Sequence, residues 1–392
     1  MNDYKYFDDL NIELIDGDRG KNYPRNDEMF EKGYCLFLNA KNVTINGFVF
    51  DENVFITKEK DELLRKGKLN RNDIVLTTRG TIGNVGLYDE SVKYDNVRIN
   101  SGMLIIRNND LNINTKYLYY QLTSPFIRDQ IFSLKTGSAQ PQIPITVLKK
   151  LKLLIPDKNI QDKIVKVMDS VVNKIKLNNE INNNLYDLMK IKFNDYIDNL
   201  DEYEESVLSK IANYKNGLAM QNYRPTNENG LPVIKIKEMN SGITSETERC
   251  RSDIDEEVII NDGDVLFAWS GTLCMNIWCG GKAGLNQHIF KVTSDKYPKW
   301  FYYFWTLKHL DNFIEIAAGK ATTMGHIKRT ELDKALVKIP SDKSINEMNK
   351  IFEPMLNKYV NTNIENRNLS ILRDTLLPKL MNGEIDLDNI EV

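Results

Sequence analysis

The chain is written twice, and that repetition limits its architecture more than any other feature. The strand-like stretch from Leu36 to Val43, followed by Gly47, returns as Leu231 to Met239, followed by Gly242. Asp73-Ile74-Val75-Leu76-Thr77-Thr78-Arg79-Gly80-Thr81 returns as Asp264-Val265-Leu266-Phe267-Ala268-Trp269-Ser270-Gly271-Thr272, each an apolar strand running into a glycine loop. Asn100 with Met103–Ile106 matches Asn286 with Ile289–Val292, and the aromatic helix starts Tyr117–Tyr120 and Phe301–Phe304 follow. Gly137-Ser138-Ala139-Gln140 before Ile143 matches Gly319-Lys320-Ala321-Thr322 before Ile327. Leu153-Leu154-Ile155-Pro156 matches Val337-Lys338-Ile339-Pro340, a closing strand stopped by proline. The offset drifts from about 196 to about 182 positions while the order never changes, as expected where loops vary in length and elements are kept.

A helical pattern follows each closing proline. In the first, Ile164, Val167, Val171, Ile175, Ile181, Leu185 and Leu188 recur at three- and four-residue steps. In the second, Met348, Ile351, Phe352, Met355, Tyr359, Leu369, Leu372 and Leu376 do the same. Each pattern predicts a helix of more than about 25 residues, roughly 40 Å long. A helix that long with one narrow apolar stripe needs a partner stripe. The other copy is the simplest partner, which predicts an antiparallel pair related by a pseudo-two-fold axis, although amphipathic helices mostly pack on their own domain.

The expected fold is therefore α+β: two mixed α/β domains separated by two long antiparallel coiled-coil helices, as a pseudo-two-fold internal repeat. The corresponding division is a first domain over 1–156, a helix over 157–200, a second domain over 201–340, a helix over 341–383 and an acidic tail over 384–392. The segment 206–212 reads as a helical lead into the second domain, a lead the first lacks.

A length of 392 residues exceeds what one core usually supports, in agreement with two domains. The 41% apolar and 27% charged content is that of a globular protein, without a run of about 18 apolar residues or a signal-like start, so a cytoplasmic, non-membrane protein is expected. Cys35, Cys250, Cys274 and Cys279 form no CxxC pair, and His288, His309 and His326 have no metal-ligand spacing. A net charge of −3 argues mildly against nucleic acid, yet a basic cleft can coexist with acidic helices.

The sequence contains no GxGxxG, GxxxxGK[ST], HExxH or GxSxG string, and no Asp or Asn followed by Pro-Pro and an aromatic. No catalytic centre, metal site or cofactor of its own is expected. Binding is better supported. The segment 16–25 carries flexible glycines with Arg19, Lys21, Asn22, Tyr23 and Arg25, side chains suited to phosphates and base edges; composition allows a solvated turn equally well. Arg79, Thr81, Lys135, Ser138 and Gln140 share that character in the first copy. Ser270, Thr272, Lys320, Thr322, Thr323 and Lys328 occupy the matching loops of the second. Loops in equivalent places with different side chains are what two readers of two different DNA sequences should show.

In this order the strings resemble the specificity subunits of type I restriction-modification systems, the HsdS family. The segments 15–24 with 36–43, 263–266 with 286–289, and 369–377 with 379–385 carry the likeness, which spans nearly the whole chain. The resemblance implies a sequence-specific, non-catalytic subunit that binds double-stranded DNA at a bipartite target, one half-site per target-recognition domain. Two modification (methyltransferase) subunits would dock around the helices and use S-adenosylmethionine to methylate adenine. Restriction (endonuclease/translocase) subunits, where present, would cut unmodified DNA with ATP and Mg. A methylation-only or type II-like system would need the same kind of subunit. Two alternatives of other classes stay open: an unrecognised nuclease and a repeat protein that binds protein.

Overall fold

A computed structural model describes residues 4–134, 142–225, 230–319 and 325–385. Eight strands of the first copy recur in the second. They are β1 (Tyr4–Tyr6), β2 (Ile12–Asp16), β3 (Cys35–Leu38), β4 (Asp73–Thr77), β5 (Val85–Tyr88), β6 (Val97–Ile99), β7 (Met103–Asn108) and β8 (Lys152–Leu154). Their counterparts are β9 (Glu204–Val207), β10 (Asn213–Asn216), β11 (Leu231–Ile234), β12 (Val265–Ala268), β13 (Cys274–Ile277), β14 (Ala283–Leu285), β15 (Ile289–Thr293) and β16 (Leu336–Ile339). The main sheet has the order β2-β7-β4-β5 in one copy and β10-β15-β12-β13 in the other, antiparallel throughout. A second layer contains the parallel pair β3 with β6, matched by β11 with β14. The equivalent aromatic helices are α1 (Thr115–Thr123) and α3 (Lys299–Lys308), and the long helices are α2 (Lys158–Asp198) and α4 (Asp342–Met381).

The segment 206–212 is not the helical lead expected from its sequence. It begins in β9, which needs extended backbone because Glu204–Val207 pairs with Leu336–Ile339, and only Leu208–Ile211 is helical. Nor does the first copy begin abruptly: β1 pairs with β8 in the same antiparallel way. In both copies the entering strand closes on the strand that leads into the long helix.

The long helices contain 41 and 40 residues, on the order of 60 Å each and longer than the sequence pattern indicated. The chain divides into two compact units, Met1–Asn173 with Ile371–Val392, and Lys174–Ser370. In the first, Ile164, Val167 and Met168 of α2 share a core with Tyr117 and Tyr120 of α1 and with Leu377 and Leu380 of α4. In the second, Phe193 of α2 stacks on Phe304 of α3 at 5.5 Å and meets Trp305 edge-on at 5.6 Å, while Phe352 of α4 stacks on Trp300 at 4.5 Å. Tyr196 bonds Ser344 at 2.7 Å and Asn178 donates to Glu365 at 2.9 Å, so α2 and α4 run antiparallel within that unit.

The buried stripe is less apolar than the periodicity implied. Leu188, Ile351 and Leu372 are exposed, whereas Asn178, Asn182 and Thr362 are buried. Both amide atoms of Asn182 and the Thr362 hydroxyl lack a hydrogen-bond partner.

Candidate nucleic-acid interface

Two glycines fix the frame of each site. A Cβ on Gly17 would sit 2.1 Å from the Asn100 carbonyl oxygen, and one on Gly217 would sit 2.1 Å from that of Leu285, so only glycine lets β2 and β10 pass there. The Asn100 side chain accepts from Gly102 N at 2.9 Å, and the Asn286 side chain accepts from His288 N at 3.2 Å. Gly80 and Gly271 turn the loops after β4 and β12 with φ of +73° and +75°, a region that disfavours other residues. Ile143 N then donates to Thr78 O at 3.2 Å and Ile327 N to Trp269 O at 3.1 Å. In each unit these contacts gather three strand ends and a returning segment around one cleft.

The first unit's cleft, about 310 Å³, is lined by Asp16, Arg19, Thr78, Arg79, Gln142 and Thr146 among others. Its cations are held in place. Arg19 pairs with Asp16 at 3.0 Å and reaches Ser101 O at 3.3 Å; Arg79 Nε donates to Gln142 Oε1 at 3.1 Å. Both arginines remain exposed, as do Lys21, Arg25 and Thr81. Buried Asp18 pins the loop by accepting from Gly20 N at 2.7 Å and Arg65 N at 2.8 Å. The Gly20 amide, then that of Arg65, holds its carboxyl below the usual range. Asn22 and Tyr23 serve the fold instead: the Asn22 amide donates to Leu63 O at 3.2 Å, and Tyr23 packs edge-on against Phe37 at 5.7 Å. Lys135, Ser138 and Gln140 lie outside the described residues.

The second unit's cleft, about 330 Å³, is lined by Asn216, Trp269, Phe290, His326, Ile327, Lys328 and Arg329. Asn216 pairs with Phe290, which pairs with Phe267, so these share a sheet face; the two-residue alternation adds Trp269 and His288. Trp269 stacks on Phe290 at 5.6 Å and meets His326 edge-on at 6.4 Å, and the Arg329 guanidinium covers the Phe290 ring at 5.3 Å. Asn216 Oδ1 and Trp269 Nε1 of this cleft, and Nδ1 of His288, whose ring lies 6.0 Å from that of Trp269, are buried and have no hydrogen-bond partner among the described residues. Leaving a buried polar group unmatched costs about 1–3 kcal/mol. Lys328 and Thr272 are exposed, but Ser270 is buried. Lys320, Thr322 and Thr323 fall outside the described residues.

Asn216, Trp269 and His288 escaped the sequence reading, which looked for cations and amides near glycine. An aromatic aligned with Thr78 just before Ser270-Gly271 was the available signal.

Burial pushes the Cys35 thiol up to about 12 and that of Cys279 up to about 11, both away from the thiolate. Among the described residues no group of three or more His, Cys, Asp or Glu is placed to hold a metal ion, and no helix is long and apolar enough to cross a membrane. The arrangement offers cations, amides and aromatic faces in two matching frames, the furniture of a nucleic-acid reader.

Comparison with known proteins agrees. The type I restriction modification DNA specificity domain matches twice, over residues 13–186 and 201–371. The chain therefore belongs to the type I restriction-modification specificity subunits and carries two target-recognition domains. It is similar to the specificity subunit of the type I restriction enzyme MjaIX of Methanocaldococcus jannaschii, with 23% identity over 358 residues, 82% of this chain and 79% of that one. It is 28% identical to the EcoBI specificity subunit of Escherichia coli over 143 residues, 36% of this chain and 29% of that one. Its fold resembles the crystal structure of a type I restriction-modification system S subunit from M. genitalium, at a TM-score of 0.52 and 16% identity, covering 96% and 95% of the two chains.

Proposed function

We propose that this chain reads a bipartite DNA target, one half-site per recognition domain, and performs no catalysis itself. The observation that carries the proposal is the repeated cleft: one backbone frame, furnished with Arg19, Arg79 and Gln142 in the first unit and with Trp269, His326 and Lys328 in the second. A fixed scaffold with different groove-facing side chains is how one fold addresses two different sequences. Lys21, Arg25, Thr81 and Thr272, exposed on the same loops, contribute to backbone positioning, together with Lys135, Ser138, Gln140, Lys320, Thr322 and Thr323. Asn22, Tyr23 and Ser270 act through loop shape. The interval between half-sites is set by α2 and α4, a role supported by their antiparallel course.

The partners in this reading are two modification subunits, which bring S-adenosylmethionine and methylate adenine in each half, and restriction subunits that use ATP and Mg. The test is a map of methylated adenines in DNA from cells carrying the chain with its modification subunits. A two-part motif with an unread gap is expected; a single contiguous motif, or none, overturns the proposal. Methylation or cleavage by the purified chain alone would favour an enzyme instead, and DNA affinity that is negligible even at low salt would favour a protein-binding repeat, whereas the present reading expects binding that falls steeply as salt rises.

A further inference from the structure

We infer that Asn216, Trp269 and His288 are the base-reading set of the second recognition domain, an assignment that rests on the DNA-reading role proposed above. The three unpartnered atoms have definite hydrogen-bonding characters. Trp269 Nε1 can only donate and Asn216 Oδ1 can only accept. Gln287 Nε2 lies 3.2 Å from His288 Nε2, and because an amide nitrogen only donates, the ring accepts there; the neutral imidazole then carries its proton on Nδ1.

The open set is thus two donors and one acceptor, and its complement is two acceptors and one donor. Every base pair presents that combination in the major groove: N7, O4 and the N6 amino group for A·T, and N7, O6 and the N4 amino group for G·C. A phosphate, which only accepts, would leave Asn216 Oδ1 unmatched, and so would the minor-groove edge of an A·T pair. Lys328 and Arg329, exposed at the rim, suit the flanking phosphates. The three atoms are shut off from water in the free chain, so reading them requires a side chain of the cleft wall to turn aside. Binding by this unit is therefore coupled to local opening.

The first unit has no such set. Asp16 stands where Asn216 does and is paired with Arg19, Thr78 replaces Trp269, and Gly102 replaces His288.

The test uses the full chain with its modification subunits, carrying Trp269→Phe, which keeps the ring and removes the donor, or Asn216→Ala. Adenine methylation is mapped as for the wild type. One position in one half of the motif should become tolerant, with discrimination there falling about 5- to 150-fold, while the other half stays unchanged. An unchanged motif in both variants overturns this inference and leaves the bipartite reading intact; absence of a two-part motif with the wild type overturns that reading instead. Should a variant lose methylation altogether, tryptophan emission of the wild-type chain decides. Trp278, Trp300 and Trp305 are buried, so a duplex bearing the mapped motif should change emission through Trp269, and one scrambled in a single half should not. Equal responses to the two duplexes overturn the inference.

Discussion

In the first unit both arginines of the cleft are held by a neighbour, Arg19 by Asp16 and Arg79 by Gln142, whereas in the second Asn216 Oδ1, Trp269 Nε1 and His288 Nδ1 find no partner among the described residues. The backbone frames are alike down to the glycine that crosses the asparagine turn. One frame therefore carries two different arrangements of polar side chains. The first orients its charged side chains through protein contacts; the second holds hydrogen-bonding groups out of water.

The largest effect should come from separating the units energetically. Phe193→Ala removes the ring wedged between Phe304 and Trp305, at a cost of about 3–5 kcal/mol. All four tryptophans of the chain, Trp269, Trp278, Trp300 and Trp305, belong to the second unit, so their emission during urea unfolding reports that unit alone. Its midpoint should fall sharply while the first half of the methylation motif survives longer than the second. Simultaneous loss of both halves would show that the two clefts cannot be compared as independent sites.

A smaller effect is expected from the first cleft itself. Arg79→Ala should relax one position of its half-site by about 1–3 kcal/mol if the guanidinium reads a base. Arg19→Ala should instead weaken binding evenly across sequences and lower the salt slope by about 1, as for a phosphate contact. Anisotropy titrations of a labelled duplex carrying the mapped motif, across a salt series, distinguish the two. Identical behaviour of the variants would blur the contrast drawn between oriented charge and withheld hydrogen bonds.

Sequence carried the frame better than the furniture. Repeated strands, the Asn100 and Asn286 turns and the glycine loops were legible because each places a fixed residue type at a fixed point in the order of elements. Facing was not legible. Tyr23 and Ser270 sit on the expected loops, yet one packs against Phe37, fourteen positions away, and the other is buried. Counting apolar residues could not detect Asn178 and Asn182 inside the helix pair, nor foresee that Leu188 and Ile351 would face solvent. Trp269 was passed over because an aromatic beside a strand is ordinarily core.

The finest test concerns what holds the loop of the first cleft. Asp18 accepts two backbone amides there, while Leu218, one residue beyond the equivalent glycine, has no carboxylate to offer. Because its folded carboxyl titrates below the ordinary value, Asp18 contributes stability that is complete above about pH 4 and is lost as pH falls through the depressed value. Asp18→Asn should therefore cost about 1 kcal/mol near neutrality, the typical net worth of one hydrogen bond. The gap in calorimetric Tm between wild type and variant should then narrow as pH falls from about 5 through the depressed value, below which both side chains are neutral. A gap that stays constant through that range would mean the loop is held by its turn geometry rather than by the carboxylate, and the contrast between the clefts would then rest on the Arg19 and Arg79 pairs alone.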